Sequence, residues 1–228
     1  MTNGFQIYQK KRDGVKITCV ADLHSHYPEL PGGDLLIVAG DLTRSDKPSQ
    51  YLDFFTWIAI TKYRKRIVVA GNHDGFIEKN REIFDMISDF TYLQDSGTEF
   101  DGLKIWGSPW TKSFKGINPH CKAFTVDHDD ELDFKWEAIP QDVDILVTHS
   151  PPQSCLDFTI IENKHVITLG FGSLSLQKRY NKISPKLHVF GHIHEGYGKD
   201  RNSKTIFINS SHVNERYEPV NPPITVNM

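Results

Sequence analysis

Short hydrophobic runs, each closed by glycine or a polar residue, recur along the chain and read as buried strands. Residues 15–21 form the first such run, and 34–39, ending Leu36-Ile37-Val38-Ala39, the second. Pro31-Gly32-Gly33 turns the chain between them, after a short segment at 27–30. Over 50–63 the residues Leu52, Phe55, Trp57, Ile58 and Ala59 predict the apolar face of a helix, with Pro48 and Ser49 near its start. Residues 66–70 read as a third strand. A helix over 76–87 follows, with Ile77, Phe84 and Ile87 inward. This order suits a largely parallel α/β layer.

The middle of the chain changes character. Tyr92-Leu93, Phe100 and the run 103–106 read as short strands separated by Asp-Ser-Gly and Asp-Gly turns. Residues 112–125 read as loop, and the acidic run 127–133 as a solvated face or helix start rather than a metal site. A helix is expected over 131–139, then a buried strand over 143–148 broken by Ser150-Pro151-Pro152. Residues 160–171 read as loop or strand edge, 173–180 as helix, and 186–190 and 205–208 as strands. The proline-rich stretch 219–223 is expected to lie across the surface. No repeat or linker divides the sequence, so one domain over 1–228 is expected.

The ends of these runs carry the chemistry. The first leads into Asp22-Leu23-His24, the second into Gly40-Asp41, and the third into Gly71-Asn72-His73-Asp74. Two later runs lead into His149 and into Gly191-His192-Ile193-His194. In Asp-x-His and His-x-His, side chains two residues apart point the same way from extended chain. Carboxylate, imidazole and amide oxygen suit first-row divalent ions. Alone, each block also reads as a turn: an aspartate accepting backbone hydrogen bonds or a histidine at a core edge. If the strands are neighbours, their ends share one rim, and together the blocks could hold two metal ions.

In this order the blocks resemble the calcineurin-like metallophosphoesterases, with the pattern Asp-x-His, Gly-Asp, Gly-Asn-His, a lone histidine and Gly-His-x-His. Within that superfamily the chain is similar to the small metallophosphoesterase-domain-containing proteins. Tyr92-Leu93-Gln94-Asp95-Ser96, Trp106-Gly107-Ser108-Pro109-Trp110 and the stretch 185–198 carry that likeness. The resemblance implies a four-layer αββα sandwich of two mixed sheets. It implies that Asp22, His24 and His194 hold one ion and Asn72, His149 and His192 the other, while Asp41 bridges both. The ions expected are Mn2+, Fe2+/Fe3+ or Zn2+. A water activated by such a pair could attack a phosphodiester in line, with His73 serving the leaving oxygen.

Small or cyclic nucleotides are the expected substrates; a nuclease or phosphomonoesterase with the same centre is the enzymatic alternative. A non-catalytic, metal-stabilised interaction module is the other class, weakened here by the complete ligand set. After Gly40-Asp41 comes Leu42-Thr43-Arg44, so the Gly-Asp-x-x-Asp of protein serine/threonine phosphatases is absent. Asp46 or Asp74 is left to orient His73, and Arg44 either binds substrate phosphate or sits on the surface. His26, Trp110, His120 and Phe171 are candidate pocket residues. Lys62–Arg66 is the strongest basic cluster and reads first as a solvated helix end.

Composition adds exclusions. The formal charge of −3 over 228 residues disfavours broad attraction to nucleic acid or anionic membrane. Three scattered cysteines without Cys-x-x-Cys spacing predict neither a disulfide framework nor a zinc knot, and Cys19 reads as a small core residue. The polar stretch 1–14 has no signal-peptide core, and no run reaches membrane-span length. A cytoplasmic protein with no membrane association and no obligate protein partner is expected.

Overall fold

A computed structural model describes residues 14–113, 119–159 and 170–228. The polar stretch read over 1–13 and the loop or strand edge read over 160–169 lie outside the described residues, as do 114–118 of the central loop. In chain order the strands are β1 Lys16–Val20, β2 Leu35–Ala39, β3 Lys65–Val69, β4 Thr91–Tyr92, β5 Ser96–Phe100, β6 Leu103–Ser108, β7 Thr111–Lys112, β8 Thr125–Val126, β9 Ile145–Thr148, β10 Leu187–Phe190, β11 Gly198–Arg201, β12 Ile206–Asn209 and β13 Ile224–Asn227. The α-helices are α1 Pro48–Ile60, α2 Gly75–Lys79, α3 Arg81–Asp85, α4 Asp133–Glu137 and α5 Leu174–Ile183.

Two mixed sheets result. One runs β13-β1-β2-β3-β4 and the other β11-β12-β10-β9-β6-β5. The strands β1, β2 and β3 are mutually parallel, as are β6, β9, β10 and β12. Alternation along each strand sends one set of side chains between the sheets and the other outward. Ile17, Cys19, Ile37 and Val69 face Ile105, Val147, Val189 and Ile208 in the central layer. Outside the first sheet, Leu36, Val38 and Val68 pack under Phe54, Ile58, Ile77 and Phe84 of the helices. Outside the second, Leu146 meets Trp136, Leu176 and Ile183. Each large side chain so buried stabilises the fold by roughly 1.5–3 kcal/mol. The layers are helix, sheet, sheet, helix, as expected.

Some local expectations need correcting. The buried face of α1 is Tyr51, Phe54 and Ile58, spaced three and four apart, while Leu52 is 64% exposed. The helix expected over 76–87 is two single turns, broken at Asn80, whose φ of −136° is not helical. Its amide donates to the Phe76 carbonyl (2.8 Å), closing the first turn while Ile77 and Phe84 both stay buried. The edge strands β11 and β13 were not foreseen. Asp101-Gly102, both with positive φ, makes the tight turn of the β5–β6 hairpin, as its sequence predicts.

Because the main strands are parallel within each sheet, their carboxyl ends open on a common rim. The sheets join there: Ala21 forms a parallel bridge with Ser211, its N–H donating to Ser210 and its carbonyl accepting from His212. All five sequence blocks follow strands that end at this rim.

Candidate metal centre

Asp22, His24, Asp41 and His192 all hold left-handed backbone, with φ of 49°, 42°, 53° and 70°. Such conformations cost a non-glycine residue roughly 1–3 kcal/mol each and concentrate at functional sites. The bends turn side chains that would follow the pleat into the space beyond the strand ends. Two glycines make room for them. A Cβ on Gly71 would overlap Asp41 Oδ1, and one on Gly191 would overlap Asp22 Oδ2.

The seven candidate ligands come together there. Asp41 lies in the middle, buried, with its oxygens facing two groups. Its Oδ2 faces His24 Nε2 (3.6 Å), and that nitrogen faces His194 Nε2 (3.3 Å). His194 Nε2 in turn faces Asp22 Oδ1 (3.6 Å). On the other side, Asp41 Oδ1 faces His149 Nε2 (3.4 Å), which lies 3.0 Å from Asn72 Oδ1. The His192 ring packs edge-on against His149, with centroids 4.9 Å apart. Three overlapping carboxylate–imidazole groups, Asp22/His24/His194, His24/Asp41/His73 and Asp22/Asp41/His149, have the spacing to hold an ion.

These contacts suit cations. His149 Nδ1 lies 3.1 Å from the Ala39 carbonyl and His194 Nδ1 lies 3.0 Å from the Asn214 carbonyl. Those acceptors fix the proton on Nδ1 and aim each Nε2 lone pair inward. The inward lone pair of His149 thus meets two oxygens, a repulsive arrangement that a positive ion between them would reverse. Ligands about 2.0–2.1 Å from one ion, at tetrahedral to octahedral angles, are roughly 2.9–3.4 Å apart. The separations of 3.0, 3.3 and 3.4 Å fall in that range. Asp22 Oδ1 is buried with no hydrogen-bond partner, as expected of an atom reserved for a ligand.

Protonation agrees. Burial, with repulsion from His73 and His194, pushes His24 down to about 3, against the opposing pull of Asp41 and Asp22. Burial likewise takes His192 down to about 3. Asp22 is held below the ordinary carboxylate range: burial opposes this, but His194 and the other imidazoles prevail. Asp41 is also lowered, with His149, His73 and His24 overcoming burial. Carboxylates and neutral imidazoles are the forms that bind divalent ions.

His73 stands beside these groups, its Nε2 3.9 Å from Asp41 Oδ2. Neither Asp46 nor Asp74 orients it. Its Nδ1 faces the Arg44 carbonyl (3.0 Å) and the Cys121 thiol (3.4 Å). Asp74, wholly buried, instead accepts from the N–H groups of Leu42, Thr43 and Gly71, lashing the second and third blocks together. Asp46 Oδ1 accepts from the Tyr51 hydroxyl and the Phe76 N–H. Without ions, burial lowers His73 but the charge of Asp41 outweighs it, lifting the imidazole to about 10. Cations beside Asp41 would cancel part of that pull.

Several contributors carry no motif. Ser211 Oγ donates to Asp22 Oδ2 (2.6 Å), beside the His192 N–H (2.9 Å). The Tyr217 ring lies 4.7, 5.3 and 6.1 Å from those of His24, His194 and His73. Among the candidate pocket residues, His120 lines a cavity beside His73, whereas the Trp110 indole is tied to Asp95 (2.9 Å) and lies under Lys135. His26 is half-buried and belongs to none of the three groups. Phe171 is not among the residues lining that cavity.

A model of the calcineurin-like phosphoesterases matches residues 15–196, a span that includes every block just described. The chain belongs to that family. Metallophosphoesterase domain-containing protein 1 of Homo sapiens is 34% identical over 239 residues, covering 93% of this chain and 71% of the relative. A UPF0046 protein of Caenorhabditis elegans is 31% identical, covering 92% and 79%. The phosphopantetheinyl hydrolase of Mycobacterium tuberculosis shares the fold, with a TM-score of 0.61 at 15% identity over 94% of this chain and 96% of that one. This calcineurin-like phosphoesterase thus has the fold its sequence blocks imply, with His/Asp groups spaced to hold metal. Among the described residues no helix is long and apolar enough to cross a membrane.

Proposed function

We propose that the chain is a phosphodiesterase acting on small or cyclic nucleotides with two divalent metal ions. The observation that carries this reading is Asp41, one carboxylate with an oxygen toward each ligand group. Asp22, His24 and His194 would hold one ion, Asn72, His149 and His192 the other, and Asp41 both. When bound, such ions supply positive charge for the phosphoryl oxygens and lower the pKa of the attacking water.

The chain's own residues set the rest. Ser211 and the His192 N–H fix the Asp22 carboxylate; Asn214 and Ala39 fix the ring orientations of His194 and His149. The Arg44 carbonyl keeps the His73 proton on Nδ1 when the ring is neutral, and a protonated ring also presents an Nε2–H. That group is placed to give a proton or hydrogen bond to the departing oxygen. The basic cluster Lys62–Arg66 offers no nucleic-acid groove at the rim. Arg64 pairs with Asp101 (2.5 and 2.8 Å), Lys65 binds Thr98 (2.7 Å), and both are at the opposite end of β3.

The test is a turnover panel in Mn(II) with bis-p-nitrophenyl phosphate, p-nitrophenyl phosphate, 2′,3′- and 3′,5′-cyclic nucleotides and single-stranded nucleic acid. Diester cleavage should exceed monoester and polymer cleavage and disappear in Asp41→Asn. Preferential release of phosphate from monoesters, or preferential cutting of polymer, overturns the diesterase reading.

A further inference from the structure

A cavity of about 310 Å³ shares Asn72 and His73 with the candidate metal centre, and Arg44, His120, Cys121 and Lys122 complete much of its wall. That volume is at the small end of ligand pockets. We infer that this cavity is a subsite for a second anionic group, a phosphate, carried by the part of the substrate that leaves. The inference rests on the phosphodiesterase reading and narrows its substrate class to nucleotides bearing a phosphate besides the one attacked.

Charge is the first argument. The chain as a whole is at −3, yet this wall carries Arg44 and Lys122 together with His120. Arg44 is exposed and, among the described residues, has no carboxylate partner; its guanidinium lies over the Tyr217 ring, 5.8 Å from the centroid. Lys122 is likewise exposed and without an ion pair among the described residues. Among the described residues the wall's carboxylate is Asp46, which has an oxygen committed to Tyr51 (2.6 Å) and to the Phe76 N–H (2.7 Å). Unpaired cations around a cleft draw anions to it.

Position is the second. His73 separates the cavity from the candidate centre: Nε2 faces Asp41, while Nδ1 faces the Arg44 carbonyl and Cys121, both cavity residues. The cavity therefore lies directly beyond the residue that would serve the leaving oxygen, and it borders Asn72 as well, so a group carried on the leaving part can extend past the His73 ring into it. Arg44 does not stand among the ligand imidazoles, because Tyr217 intervenes, with its ring 4.7 Å from that of His24. A cation one ring's breadth beyond the centre suits a second anion better than the phosphoryl group under attack.

The test compares adenosine 3′,5′-bisphosphate with 3′-AMP and 5′-AMP, binding to the Mn(II)-loaded full chain by calorimetry. Wild type should bind the bisphosphate at least about tenfold more tightly than either monophosphate, as a charge-assisted contact implies. Arg44→Gln/Lys122→Gln should bring that ratio close to one, while Tm stays at the wild-type value because both side chains are exposed. In turnover, ApA bearing a terminal phosphate should outpace bare ApA in kcat/KM, with the advantage lost in the same variant. An unchanged ratio in the double variant overturns the subsite. So does an equal weakening of mono- and bisphosphate, which assigns the cations to the phosphate at the centre. Absence of diester turnover in wild type with an intact binding ratio would count against the phosphodiesterase reading alone.

Discussion

Replacing Ser211 by alanine should weaken metal binding while leaving the fold intact. Asp22 Oδ2 has two donors, the Ser211 hydroxyl at 2.6 Å and the His192 N–H at 2.9 Å, and its other oxygen has none. A hydrogen bond to a charged group contributes about 1.5–3 kcal/mol. At 1.4 kcal/mol per tenfold, that corresponds to roughly 10- to 100-fold in affinity. Partners that orient metal ligands show losses of the same size, about 10- to 100-fold. The hydroxyl also lies 2.7 Å from Asn209 Oδ1, so its proton is shared; in the variant that amide oxygen keeps the Ser211 N–H (3.2 Å), which limits the side damage. Titration with Mn(II), with the free ion followed by electron paramagnetic resonance, gives the affinity; Tm in excess chelator reports the fold. Wild-type affinity in Ser211→Ala would refute the reasoning, as would a loss fully matched by a fall in the chelated Tm.

Two further outcomes are expected. His188 is wholly buried near Phe190, Phe207 and Tyr180, and burial takes it from an ordinary value of 6.5 down to about 3. Below pH 6.5 the unfolded chain takes up a proton that the folded chain refuses until about pH 3, so this group's contribution to stability falls with pH across that window. Between pH 7 and 5 its share of the loss is about 2 kcal/mol. Urea unfolding should show His188→Phe losing about 2 kcal/mol less than wild type over that interval, and an identical loss in both would contradict the assignment. His73→Ala should slow release of a poorly stabilised ribose alkoxide by about 10²–10⁴-fold, and p-nitrophenolate much less, because only the former needs a proton. Equal slowing on a cyclic nucleotide and on bis-p-nitrophenyl phosphate would remove His73 from that role.

The central strands were legible because their apolar runs are continuous, as strands covered on both faces require. The blocks were legible for a linked reason: a parallel sheet brings successive carboxyl ends to one rim, so residues after 20, 39 and 69 converge. What failed was local or tertiary. Leu52 looked inward on composition, yet the phase of α1 is set by Tyr51, Phe54 and Ile58. No apolar pattern announces β11, Gly-Lys-Asp-Arg, since an edge strand with charged side chains needs none. The strand β13 hides behind Pro222-Pro223 and pairs with β1, some two hundred residues away. Ser211, Tyr217 and Cys121 reach the site on loops, and nothing local marks them. The orientation of His73 by a backbone carbonyl rather than by an aspartate is likewise invisible in side-chain letters.

The most direct test is the number of Mn(II) ions bound per chain, by calorimetry on chelator-stripped protein, for wild type and Asp41→Asn. Two ions are expected in wild type. In Asp41→Asn the loss of the shared carboxylate should remove at least one, with near-wild-type Tm in chelator. One ion in wild type, or two held with undiminished affinity by the variant, would contradict a centre built around Asp41.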